Sequence, residues 1–131
     1  MGGTALPLSK DKALAVASLL ADHKGGEVII LDLAQSAGWT DFFVIATATS
    51  STHLRGLAFY VDEWAVAAKA ERLNKPRIAD DEEWVLVDLG DIVVHLMTDR
   101  ARKFYELEKL WFQAPTTPLE PNRDDNAKGE A

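Results

Sequence analysis

The most regular run of hydrophobic positions lies at residues 84–97, WVLVDLGDIVVHLM, where two apolar segments flank Gly90 and Asp91. A two-residue connection that begins with glycine fits a type II′ hairpin turn, whose first central position requires a positive φ. With Leu89 opposite Ile92, the period of a strand places Val85, Val87, Leu89, Ile92, Val94 and Leu96 on one wholly apolar face. The other face carries Trp84, Leu86, Asp88, Val93, His95 and Met97. The pattern predicts an antiparallel hairpin with a core face, a more polar face and a tip near water.

Elsewhere the period changes. Ala13, Leu14, Ala17, Leu20 and Ala21 recur at helical spacing after Ser9, a good N-cap, and Lys24-Gly25-Gly26 supplies a stop. Residues 27–33, EVIILDL, read as a buried strand, and residues 41–48, DFFVIATA, as a second central one. A longer helix is expected over about residues 52–72, with Leu54, Leu57, Ala58, Val61, Ala65 and Ala68 inward, before Lys75 and Pro76 break it. A short extended piece near Arg77 and Ile78 and the acidic loop at Asp80, Asp81, Glu82 and Glu83 lead into the hairpin. After it, Asp99 is placed to cap a helix reaching Leu110, with Ala101, Phe104, Tyr105, Leu107 and Leu110 as packing positions. Strands and helices mixed without regular alternation predict an α/β (α+β) architecture, a mixed sheet of about five strands with helices packed on it. The expected organisation is a flexible N-terminus at 1–10, a single domain at 11–114 and a disordered tail at 115–131. In that tail Pro115, Pro118, Pro121 and NRDDNAKGEA lack apolar periodicity.

Composition narrows the classes. With 131 residues, 47% of them hydrophobic, the chain can fill one core. It has no cysteine, which excludes disulfides, thiol nucleophiles and cysteine-based zinc sites and fits a reducing cytoplasm. No apolar run approaches the ~20 residues of a membrane helix. The start, MGGTALPLSK, has neither the apolar region of a secretory signal nor the Arg-rich character of a transit peptide. A soluble, cytoplasmic protein is expected. A net charge of −7 repels nucleic-acid backbones and suits a basic protein, free or embedded in RNA.

The catalytic signals are thin. The serines sit in TSST, outside a Gly-x-Ser-x-Gly elbow, and His23, His53 and His95 lack metal-ligand spacing. The hydroxyls of residues 47–52 suit either an anion at a helix N-terminus or ordinary capping. Asp32, Asp41, Asp88 and Asp91 stand at strand ends, where converging carboxylates could hold magnesium for nucleotidyl transfer. Yet Asp32 has no paired acid further along its strand, Asp41 opens its own, and Asp88 and Asp91 flank a turn. What remains is recognition by surface. Trp84 and Leu89 bracket an acidic hairpin, and a tryptophan there is either an interface anchor or a core residue.

LDL at 31–33, TDFFVIATATSSTHLRGLA at 40–58, WVLVDLGDIVVHLM at 84–97 and FYELEKLW at 104–111, with their spacing, resemble the ribosomal silencing factor family, also called Iojap-like. The resemblance spans roughly residues 14–115. It implies a protein with no catalytic activity and no cofactor, whose fold is related to nucleotidyltransferases without their catalytic pattern. It also implies docking on large-subunit ribosomal protein number fourteen, at the face that meets the small subunit, so that the subunits cannot join and translation falls when nutrients are scarce. Family members tend to be homodimers when free. The family's contact tryptophan and leucine correspond to Trp84 and Leu89, and charge extends the expected surface to Asp88 and Asp91.

Overall fold

The computed structural model describes residues 9–34, 40–74, 83–110 and 115–118. The elements in order are α1 (Ser9–Asp22), β1 (Gly26–Asp32), β2 (Phe42–Ala48), α2 (Ser51–Ala67), β3 (Trp84–Asp88), β4 (Ile92–Thr98), α3 (Asp99–Tyr105), α4 (Leu107–Leu110) and β5 (Thr116–Pro118). The five strands form one mixed sheet in the order β3-β4-β2-β1-β5. Only the β2–β4 pair is parallel, and α2 lies in the connection between those strands as such a crossover requires. The expected α+β sheet is therefore the observed one.

β2 lies in the middle of the sheet, and all seven of its residues are buried. A strand covered on both faces needs apolar residues at successive positions, and FFVIATA supplies them. On one face Phe42, Val44 and Ala46 meet Ile92, Val94 and Leu96 under Val16, Leu20, Leu54, Leu57 and Val61 of α1 and α2. On the other, Phe43, Ile45, Val93 and Met97 pack with Leu31, Leu33, Ala101 and Leu107. The hairpin's predicted partition of faces holds: Trp84 pairs with Met97, Val87 with Val94, and the Leu89 N–H donates to the Ile92 carbonyl at 2.8 Å. Its second face is divided: on β4 Val93, His95 and Met97 are buried in a second core under α3 and α4, whereas on β3 Leu86 is exposed and Trp84 and Asp88 are half-buried. Each fully buried Leu, Ile or Val stabilises by about 1.5–3 kcal/mol before ordering costs, so two apolar layers anchor the sheet.

α1 ends as its glycines predict, with a twist. Lys24 adopts the left-handed conformation (φ 72°), its N–H bonding the Ala21 carbonyl and that of Gly25 the Leu20 carbonyl at 2.7 Å. These two bonds make a Schellman stop, and a Cβ on Gly25 would stand 2.8 Å from the Leu20 carbonyl oxygen, so the close approach requires glycine. Ser9 is the first helical residue, not the residue ahead of it, and Val16 takes a core position that the sequence pattern missed while Leu14 stays exposed.

Four expectations need correction. α2 stops at Ala67, short of residue 72, because the chain turns at Lys69 (φ 59°) and runs along the outer edge of β3. There Leu73 N–H bonds the Asp88 carbonyl, and Arg72 and Asn74 bond that of Leu86. Thr98, not Asp99, caps α3, and a left-handed Glu106 splits the expected last helix in two. Ser9 and Lys10 belong to α1, so the ordered part begins before residue 11. Thr116–Pro118 pairs antiparallel with Ile29–Leu31, so the sheet extends past the expected boundary at 114 into what was read as tail. The predicted extended piece near Arg77 and Ile78, and Asp80, Asp81 and Glu82 of the acidic loop, lie outside the described residues.

Candidate functional site

Trp84 opens β3 on the face that α3 covers, and its indole remains part-exposed. Its Nε1–H donates to His95 Nδ1 at 3.1 Å. The Tyr105 ring lies 4.8 Å from the indole, centroid to centroid, and Phe104 meets Tyr105 edge-on at 4.9 Å. Phe104 is 77% exposed and Tyr105 45%. Three aromatic side chains thus form a continuous patch bordered by a hollow of about 300 Å³ lined by Glu83, Arg100, Ala101, Phe104 and Tyr105. Arg100 and Glu83 are ion-paired at its rim, and the Arg100 guanidinium holds the Glu83 carboxyl below its usual range.

The patch exists because of how α3 is turned. Its inward positions are Ala101 and Arg102, and at 100° per residue Phe104 falls more than a quarter turn from the middle of that face. Arg102 is buried, its Nη1 donating to the Glu27 carbonyl at 2.6 Å and to Thr47 Oγ1 at 2.8 Å. A guanidinium reaching to the β1–β2 end occupies a place that a hydrophobicity pattern gives to an apolar side chain. Phe104, read from sequence as a packing position, is a surface residue for that reason; Tyr105, also read as packing, falls on the inward side but ends the helix, and it stays 45% exposed against the indole.

The predicted site residues do not come together. Trp84 starts β3 whereas Leu89, Gly90 and Asp91 follow its end, and strand rise separates the two places by roughly 15–20 Å. Leu89 is 7% exposed and packs in the core beneath α1 and α2, on the opposite face from Trp84; the expectation that it offers an apolar knob to a partner is corrected by its burial. The Asp88 Oδ1 accepts the Gly90 N–H at 2.9 Å, and the Asp88 N–H is bonded to Asn74 Oδ1. Asp91 binds Lys12 at 2.8 Å and accepts from Ser9 Oγ at 2.7 Å. Burial pushes the Asp91 carboxyl up, but the bonds from Lys12 and Ser9 outweigh it and hold it below its usual range. The Asp88 carboxylate thus closes the turn on itself, and that of Asp91 fastens it to α1.

The hydroxyl-rich corner resolves in the same way. Ser50 is the N-cap of α2, accepting the His53 N–H, and His53 Nδ1 in turn accepts the Thr49 N–H at 2.9 Å. Asp32 accepts the Ala34 N–H at the end of its strand. Among the described residues, no three acidic or imidazole side chains are grouped as a metal ion would need. No described helix is long and apolar enough to cross a membrane.

A family model described as "Ribosomal silencing factor during starvation" matches residues 7–131. The chain belongs to this family. It is 38% identical over 100 residues to a ribosomal silencing factor of Treponema pallidum, an alignment covering 76% of this chain and 88% of that one. A mouse protein named "Mitochondrial assembly of ribosomal large subunit protein 1" is 32% identical over 96 residues, 72% of this chain and 42% of the relative. A crystal structure of a Chromobacterium violaceum protein superposes with a TM-score of 0.71 at 30% identity, covering 84% of this chain and 92% of that one. The silencing-factor fold is thus the frame on which the aromatic patch is carried.

Proposed function

We propose that this chain is a ribosomal silencing factor without catalytic activity that docks on the large ribosomal subunit and keeps the small subunit from joining. The observation that carries the reading is the Trp84–Tyr105–Phe104 patch on a chain of this family. Large exposed aromatics that lie together are the side chains from which interfaces draw most of their energy. The net charge of −7 suits a basic ribosomal protein better than bare RNA, and the resemblance points to large-subunit protein number fourteen as that partner. The name of the mouse relative, which refers to the large subunit, supports the same side of the ribosome. The mechanism is occupancy: a folded body on the joining surface makes two binding events mutually exclusive and needs no reaction and no cofactor. Trp84 is the anchor, Asp88 and Asp91 act by holding the hairpin tip, and Leu89 acts by packing beneath it. When free in the cytoplasm the chain pairs with a second copy.

Sedimentation of purified subunits with increasing amounts of the protein tests this directly. Joined particles should decline saturably while the protein travels with the large subunit. Unimpaired joining at saturating protein refutes the reading. Trp84→Ala should weaken co-sedimentation per folded molecule by roughly tenfold or more, the scale of a truncated interface anchor, and should also lower the melting temperature, since the indole packs on the core and bonds buried His95.

A further inference from the structure

β4 buries a histidine that the docking reading leaves unused. His95 is 4% exposed and sits between two aromatic rings, with Phe43 edge-on at 4.4 Å and the Trp84 indole tilted at 5.8 Å. An indole N–H can only donate, so the His95 Nδ1 it contacts must carry a free lone pair and the ring proton must sit on Nε2. That Nε2 is buried and has no hydrogen-bond partner among the described residues. A purely apolar side chain at this position would remove the unsatisfied nitrogen, but it would also leave the Trp84 N–H without its acceptor. The arrangement is poor as core filling and good as a fixed acceptor.

We infer that His95 is a positioning residue of the docking patch: its Nδ1 holds the Trp84 N–H inward, so that the indole presents ring carbons, and no polar edge, beside Tyr105. This rests on the docking reading for its consequence, though not for its geometry. Trp84 and His95 are diagonal neighbours on adjacent antiparallel strands, within reach of an aromatic side chain, so the bond fixes the indole relative to the sheet. Phe43 behind the imidazole and Tyr105 beyond the indole complete a stack from the core to the surface. Anchors fixed before binding lose less freedom on docking, which is where the gain in affinity arises. Burial pushes the His95 imidazole down to about 4, so it stays neutral and able to accept near neutral pH.

The test uses the full chain in two measurements. Nitrogen-detected spectra of the wild type should show His95 protonated on Nε2 and Trp84 Nε1–H bonded to Nδ1; a proton on Nδ1 overturns the inference outright. His95→Leu should speed exchange of the Trp84 indole proton and weaken binding to purified large subunits by roughly tenfold, whereas His95→Asn, whose Oδ1 takes the place of Nδ1, should restore binding to within about twofold of the wild type. A folded His95→Leu protein that binds as tightly as the wild type overturns the inference and leaves the docking reading standing. A wild type whose spectra are as expected but which binds no large subunit overturns the docking reading and upholds the His95–Trp84 assignment.

Discussion

Leu89→Glu separates folding from docking, because Leu89 lies one strand's length from Trp84 and on the opposite face. The Leu89 side chain is enclosed by the core beneath α1 and α2, so a glutamate there must either bury its carboxylate or open the turn. Such a change should cost about 3 kcal/mol or more and lower the unfolding midpoint clearly in a thermal or urea melt. Any loss of ribosome binding by Leu89→Glu therefore follows from damage to the fold, and a variant with an unaltered melt would show that Leu89 is more accessible than its 7% exposure indicates. His95 gives a second prediction at the same scale. Its imidazole titrates near 4 in the folded chain against 6.5 as the ordinary value, so between those values the unfolded chain binds the proton first. Stability is full above about pH 6.5, falls as pH drops, and has lost about 3 kcal/mol once the folded-state value is passed. Urea midpoints measured from pH 7 to pH 4 should fall more steeply for the wild type than for His95→Asn, because the variant keeps an acceptor but has nothing to titrate there. Parallel slopes would contradict it.

The hairpin is the element on which this separation depends, and its turn rests on one backbone angle. Gly90 has φ 91°, where a side chain is strained even though the nearest atom to an added Cβ is a tolerable 3.6 Å away. Gly90→Ala should cost about 1 kcal/mol from that strain, whereas Gly25→Ala should cost more, since its Cβ would meet a main-chain oxygen at 2.8 Å. Paired denaturant melts give the order, and the reverse order would mean that the Schellman stop yields more readily than the turn. Both glycines were legible in the sequence because each ends a periodic run. β2 and the division of hairpin faces were legible too, from continuous burial in one case and a period of two in the other. What could not be read was anything decided by a distant element. No glycine or proline announces the end of α2: Lys69 takes the left-handed turn instead, the Ala70 N–H bonds the Ala65 carbonyl, and Leu73, Asn74 and Arg72 then bond to the edge of β3. Likewise the β4 half of the second hairpin face looked polar because His95 lies on it, and only the arrival of α3 and α4 buries it. The exposed aromatic patch was hidden by the same limitation: Phe104 in a helical period looks like packing until a buried Arg102 sets which side of α3 faces the sheet, and Tyr105 is left half-exposed because the helix ends there.

At the scale of the whole molecule, the sheet has two outer strands and protects each differently. β3 is bordered by the Arg72–Asn74 stretch, while β1 would be an outer strand but for β5, three exposed residues that close it. Unpaired strand edges invite pairing with other chains, so a three-residue strand matters out of proportion to its size. Ile29, Ile30 and Leu31 pair with Pro118, Thr117 and Thr116, and the Asp32 N–H adds a bond to the Pro115 carbonyl at 2.8 Å. Ending the chain after residue 114 removes these bonds at about 1 kcal/mol each at most and uncovers the edge of a buried strand. Ending it after residue 118 keeps them. The shorter chain should melt several degrees lower and form larger species as its concentration rises, while the chain ending at 118 should melt and sediment as the full one does. Because the anchor Trp84 stands on β3, at the opposite edge of the sheet from β5, large-subunit binding per folded molecule should survive both truncations. Loss of binding by the folded shorter chain would instead place part of the contact on the β5 edge and move the proposed docking surface across the molecule.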